Sequence, residues 1–377
     1  MQNIGTKSPL LLNSRSLTKK CFFILSFVLV GALLSSSEFY QSETHIKVDN
    51  PNIEYIGRFD FSRPGVVRFD WPGIQIRTNF SGTFCAIKLK DGKNDYNIFI
   101  DGKLYKVLRT TADSIYTLAD DLENIKHSLL ITKRTEGAGC ISSFEGFMLN
   151  EGDRLYHVAD QKMRKIEFIG DSFVAGIGSE GKTPDCLFSR ETDNNYIAFG
   201  PVLARRFNAD YSIIAISGIG VVRNDGDSTK TSRRPLPYYY ERACSNDTLK
   251  WDFQKWQPDL VVLRLGNNDY WKKPYPVTKV FQKGYINFLK EIRSLYPQTS
   301  ILVFCEPVKK DQHCDYISDV VNELKKELGD KKIWFEELNI ILDKQKDFGC
   351  QKHPNEFGHK KIADTLEPIV RKAMNWQ

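Results

Sequence analysis

The sequence predicts two domains, an all-β jelly-roll sandwich followed by an α/β domain whose parallel sheet carries helices on both faces. Three observations lead there. Short runs with period-two apolar alternation, separated by turn pairs, fill residues 53–160. From Lys165 onward, strands alternate with helix-like stretches. Polar clusters then fall just past the ends of successive strands, where open α/β sheets place their reactive groups. A length of 377 residues accommodates two ordinary domains, and a make-up of 41% hydrophobic and 27% charged residues is that of a folded globular protein.

The amino end has its own character. Lys19 and Lys20 precede an apolar run, Phe22–Leu34, of 13 residues, and Ser35-Ser-Ser37 follows. A positive flank, a short apolar core and a small-residue site make an export signal. A spanning helix needs roughly 20 apolar residues, so the membrane enters only if this leader stays on as an anchor. Residues 1–37 are therefore expected to be a leader and 38–52 a linker, with the folded part, 53–160 and 161–377, secreted or otherwise extracytoplasmic.

Net charge is +6, from 53 basic and 47 acidic residues well mixed along the chain, which does not argue for nucleic acid. Zinc-finger spacing, a phosphate loop and internal repeats are absent from the sequence, and no metal or other cofactor is expected. Of eight cysteines, Cys21 lies in the leader and the other seven are scattered, an odd number that leaves at least one thiol over. Their pairing cannot be read from spacing. Asn79-Phe-Ser and Asn246-Asp-Thr match the glycosylation pattern, which matters in a eukaryotic host.

In the first domain, Val66–Trp71 runs into Pro72-Gly73, and Ile74–Arg77 and Cys85–Lys90 alternate apolar and polar residues. Asp91-Gly92 and Asp101-Gly102 are hairpin turn pairs on either side of Tyr96–Ile100. Ser128–Lys133 is a further strand. Trp71 and Tyr55 suit core packing better than sugar stacking.

In the second domain, the strand Ile166–Ile169 ends at Gly170-Asp-Ser172, and Asn195–Phe207 is helix-like. Tyr211–Ile216 ends at Ser217-Gly218, and Asp259–Leu265 ends at Gly266-Asn-Asn-Asp269. Val277–Tyr296 has the apolar period of an amphipathic helix. Ser300–Cys305 and Lys332–Phe335 are strands around the helix Asp315–Leu328, and a last helix is capped by Asn355 just after His353.

Taken alone, Asp171-Ser172 suits a turn as well as a nucleophile. The neighbouring loops change the balance. A serine hydroxyl needs a base to take its proton, and His353, opening a helix on the reactive edge, is the best candidate; His359 suits a structural place inside that helix. Acyl transfer also needs donors for the carbonyl oxygen. The N–H groups of Ser172 and Gly218 and the amide of Asn268 would supply them. Tyr270 and Trp271 follow directly and are candidates to flank the entrance and stack on a sugar, with Tyr239 a further one.

Gly170-Asp-Ser172, Gly218, Gly266-Asn-Asn-Asp269 and His353-Pro354 resemble the four blocks of the SGNH (GDSL-type) hydrolases. Ile56–Phe59, Val66–Gly73 and Lys133–Glu136 resemble the jelly-roll domain that precedes the hydrolase in carbohydrate esterase family two, as do Trp251-Asp-Phe and Trp256–Asp259. The resemblance implies Ser172 as nucleophile, His353 as base and Ser172, Gly218 and Asn268 as the oxyanion hole. The implied reaction is removal of O-acetyl groups from plant cell-wall polysaccharides such as xylan or mannan, through an acetyl-enzyme and without a metal. Two alternatives stay open: an SGNH esterase or acyltransferase acting on another small acyl substrate, and a non-catalytic carbohydrate-binding relative. One departure stands out. Many SGNH enzymes carry an aspartate three residues before the histidine; here that residue is Cys350, followed by Gln351 and Lys352. The expectation is a Ser172–His353 dyad whose imidazole is held by a backbone carbonyl.

Overall fold

The computed structural model describes residues 43–136, 139–160, 162–306 and 313–377, all within one compact unit. The expected leader lies outside the described residues. Among the described residues, no helix is long and apolar enough to cross a membrane.

Among the described residues, the first half is a sandwich of twelve strands: β1 (Glu43–Ile46), β2 (Glu54–Ile56), β3 (Asp60–Arg63), β4 (Val66–Phe69), β5 (Gln75–Gly82), β6 (Cys85–Lys90), β7 (Asp95–Ile100), β8 (Lys103–Arg109), β9 (Ser114–Ala119), β10 (Ile125–Lys133), β11 (Ser142–Asn150) and β12 (Leu155–Tyr156). They form two six-stranded antiparallel sheets, β3-β4-β11-β6-β9 with β1 on β11, and β12-β5-β10-β7-β8 with β2 on β5. Inward residues such as Phe69, Ile76, Phe80, Ile98 and Phe144 fill the space between them, as the period-two pattern requires. The β7–β8 hairpin turns on Asp101-Gly102, both at positive φ (51° and 74°), as expected of that pair. The linker expectation needs correction: Glu43–Ile46 pairs with Phe147–Asn150 as an edge strand. A four-residue edge strand with half its residues exposed shows too little apolar signal to stand out in the sequence.

The second half contains β13 (Arg164–Gly170), the one-turn α1 (Ser172–Ala175), α2 (Phe199–Arg206), β14 (Ala209–Ala215), α3 (Leu236–Tyr240), β15 (Leu260–Arg264), α4 (Thr278–Leu295), β16 (Ser300–Cys305), α5 (His313–Leu328), β17 (Ile333–Glu337) and α6 (Glu356–Met374). The sheet is parallel, ordered β14-β13-β15-β16-β17. Alternate strand residues serve opposite faces. Ile169, Val261, Leu263 and Val303 share a cluster with α4 and α5, while Phe168, Val262, Leu302 and Phe304 share one with α2 and α6. The helix expected over 195–207 begins as a single 3-10 turn, Asn195–Ile197, and becomes α-helical only from Phe199.

The two halves meet across a polar, buried seam. Arg58 pairs with Glu167 of β13 at 3.0 Å and lies over the rings of Tyr240 and Phe253. Asp70 accepts from the backbone and hydroxyl of Ser245 and from Asn246. Glu136 accepts from the Ser217 N–H at 2.8 Å. Both glycosylation-pattern asparagines use their amides within the protein, Asn79 to the His157 carbonyl and Asn246 to Asp70. The Arg58–Glu167, Asp70–Ser245 and Glu136–Ser217 contacts are buried or half-buried, which fixes the register of one half on the other.

Candidate active site

Four polar loops meet at the carboxyl edge of the parallel sheet. The first leaves β13 at Gly170. Asp171 caps α1 by accepting the Phe173 N–H at 3.1 Å, and Ser172 is the helix's first residue, only 8% exposed. The second follows β14, where Gly218 takes a left-handed φ of 71° that favours glycine. The third follows β15 and carries Asn268 in a 3-10 turn. The fourth precedes α6, whose cap Asn355 accepts from Phe357 and Gly358 and so sets the chain direction at His353.

His353 Nε2 lies 2.8 Å from Ser172 Oγ. Burial lowers the imidazole pKa from its ordinary value. The Asp171 charge and the Cys350 and Gln351 carbonyls act in the opposite direction, while Arg264 adds to the lowering. A neutral imidazole at that distance can accept the serine proton. Among the described residues, His353 Nδ1 is buried without a hydrogen-bond partner, so neither a carboxylate nor the expected backbone carbonyl bonds it.

Among the described residues, the N–H groups of Ser172 and Gly218 donate to no other group. Asn268 Nδ2 donates to the Ile219 carbonyl at 2.8 Å and, at 3.4 Å, faces an oxygen of Asp171. One amide hydrogen thus anchors the side chain, and the other is only loosely engaged. These groups, with Glu136, Asp225, Trp271 and Lys352, line a cleft of about 410 Å³.

Two of the expected stacking residues lie elsewhere. Tyr270 is buried, packed against Phe281 and Tyr316, because the turn after Asn268 directs it into the α4–α5 core. Tyr239 lines a separate small cavity with Trp71 and Asn246. Trp271 does line the cleft. His359 is inside α6, accepting the Phe199 N–H through Nδ1, with burial pushing its pKa down to about 3.

Several residues have parts that the sequence pattern does not assign. Arg264, at the end of β15, is buried between Asp171 and Glu306 and lies 3.9 Å from the centre of the Phe173 ring. Asp269 accepts three backbone N–H groups, from Val221, Val222 and Arg223, tying the Gly218 loop to the Asn268 loop. Burial pushes its pKa up to about 7 against the lowering effect of those donors. Glu136 reaches the cleft from the sandwich. For Arg264 a signal was present: a charge in an otherwise apolar buried strand requires a buried partner.

The fold and the four-loop edge define a GDSL-type hydrolase, and comparison with known proteins narrows the class. Residues 55–158 match the carbohydrate esterase 2 N-terminal domain, and residues 168–361 match the GDSL-like lipase/acylhydrolase family. The chain is 32% identical over 339 residues to the cellulase/esterase CelE of Acetivibrio thermocellus, with 87% of this chain aligned but only 40% of that longer protein. It is 27% identical over 352 residues to an acetylxylan esterase / glucomannan deacetylase of Cellvibrio japonicus, covering 90% of this chain and 95% of that one. A family two carbohydrate esterase from Clostridium thermocellum, solved with cellohexaose, superposes with a TM-score of 0.80 at 30% identity, over 86% of this chain and all of that one. The chain belongs to carbohydrate esterase family 2.

Proposed function

We propose that this protein is an exported serine esterase that removes O-acetyl groups from plant cell-wall polysaccharides such as xylan or mannan. The observation that carries the reading is the 2.8 Å contact of Ser172 Oγ with a half-buried His353 that no carboxylate of the described residues bonds, in a cleft that also presents two uncommitted N–H groups. Ser172 Oγ attacks the acetyl carbonyl while His353 Nε2 takes its proton. The oxyanion is met by the Ser172 and Gly218 N–H groups and Asn268 Nδ2. His353 then returns the proton to the departing sugar oxygen, and water, activated by the same imidazole, hydrolyses the acetyl-serine. Ser172 and His353 act as a dyad, with backbone carbonyls rather than a carboxylate beside the imidazole. The Cellvibrio relative's acetylxylan and glucomannan activities and the Clostridium relative's cellohexaose complex support a β-linked polysaccharide as substrate. Trp271, at the cleft wall, offers a ring for stacking. The export signal and two disulfides, Cys186–Cys350 and Cys305–Cys314, are consistent with an oxidising compartment.

Acetate release from 4-nitrophenyl acetate and from acetylated xylan and mannan, by wild type and Ser172→Ala, tests the reading. Wild type is expected to act on both and the variant on neither. Release from the small ester alone would shift the substrate class, and release from none would leave a binding protein.

A further inference from the structure

The turn that delivers His353 is unusual in its backbone. Cys350–Lys352 is a single 3-10 turn, and Gln351 and Lys352 both stand at left-handed φ, 54° and 57°. Side chains other than glycine keep such angles only where the surroundings over-determine them. Here the surroundings are the segment Pro184–Cys186. Cys350 is disulfide-bonded to Cys186, the Gln351 N–H donates to the Cys186 carbonyl at 3.0 Å, and the Lys352 N–H donates to the Pro184 carbonyl at 3.0 Å. Underneath, Gly181 packs so tightly that a β-carbon there would come 2.2 Å from the Cys350 nitrogen. That glycine belongs to the stretch leading directly from the Ser172 helix, so the disulfide joins the nucleophile's downstream loop to the base's upstream turn. The turn's carbonyls, those of Cys350 and Gln351, act on the imidazole whose Nδ1 has no hydrogen-bond partner.

We propose that the Cys186–Cys350 disulfide is the positioning element of His353, standing where the general SGNH pattern has a carboxylate, so that the esterase is competent when oxidised and loses its preorganised base when reduced. The inference rests on the reading of His353 as base. Cys186 is half-buried and Cys350 fully buried, so a dithiol reaches the pair from the Cys186 side. One of its thiolates attacks Cys186 sulfur and displaces the Cys350 thiolate. Its second thiolate then closes the reagent's own disulfide and releases Cys186 as thiolate. The reagent loses two electrons, the protein gains them, and the two thiol protons pass to the new cysteines.

The test compares wild type, C186A/C350A, C305A/C314A and H353A on 4-nitrophenyl acetate, with circular dichroism as the folding control. C186A/C350A is expected to lose about 10- to 100-fold in kcat, the scale of a misplaced catalytic group, with KM nearly unchanged. Its acid limb in kcat/KM should move to higher pH, because a loosened ring is less buried. Asp171, Arg264 and His359 are the charged or titratable groups acting electrostatically with that ring, and they stay in place. Wild type reduced with dithiothreitol and desalted without air should show the same loss and regain activity on reoxidation, which covers a double variant that fails to fold. C305A/C314A should keep that sensitivity. A folded C186A/C350A with wild-type kcat and acid limb overturns the proposal, as does sensitivity that vanishes in C305A/C314A. Activity that survives in H353A overturns the underlying assignment of the base instead.

Discussion

Ser172 and Asn268 stand on loops tied together by buried charge, whereas His353 stands on a turn tied down by a covalent bond and backbone hydrogen bonds. Beside Ser172 and Asn268, Arg264 joins Asp171 to Glu306, and Asp269 gathers three amides from the Gly218 loop. Around His353, no carboxylate of the described residues bonds the imidazole, and the geometry comes from Cys186, Pro184 and a glycine-lined floor. The difference teaches where preorganisation can reside. Charge networks hold donors in place only when every member is paired. A disulfide holds a strained turn without placing another charge beside the imidazole proposed as base, which accepts a proton only when neutral.

The largest expected effect is on the charged side. Arg264→Ala leaves Asp171 and Glu306 buried without their partner and should cost about 3–5 kcal/mol of stability, read by urea unfolding. A variant as stable as wild type would show that the network does not hold the edge. Next, Asn268→Ala should lower kcat by about 10²–10³ with KM little changed; a change confined to KM would remove it from the oxyanion hole. Smaller again, Trp271→Ala should raise KM for acetylated polysaccharide by an amount corresponding to about 1 kcal/mol and leave 4-nitrophenyl acetate turnover as it was. Equal losses on both substrates would make Trp271 structural. The smallest effect is a displacement along the pH axis. Since burial lowers the His353 pKa, kcat/KM should fall only as pH drops through a midpoint under the ordinary imidazole value of about 6.5. A midpoint above that value would mean the base is charged and paired.

Much of this was legible from residue patterns. Alternation in Ile74–Arg77 and Cys85–Lys90, and the strand-then-polar rhythm of 165–269, are consequences of one side chain per pleat and of crossovers that return to the same edge. The site residues Ser172, Gly218, Asn268 and His353 could be placed because each lies just past a strand or at a helix start. Tyr270 and Tyr239 could not, because the direction of a ring leaving a 3-10 turn or a five-residue helix depends on what it packs against. The edge strand at Glu43–Ile46 was hidden for a related reason: its pairing partner lies about a hundred residues away.

By itself, then, the sequence determined the two-domain architecture and the placing of Ser172, Gly218, Asn268 and His353 just past strand ends or at a helix start, because these follow from local periodicity. The tertiary structure alone decided how they are held. Arg264 between two carboxylates, Glu136 crossing from the sandwich, and Cys350 paired with Cys186 over a separation of 164 residues are long-range contacts. No local spacing encodes a contact that exists only once distant segments are packed together.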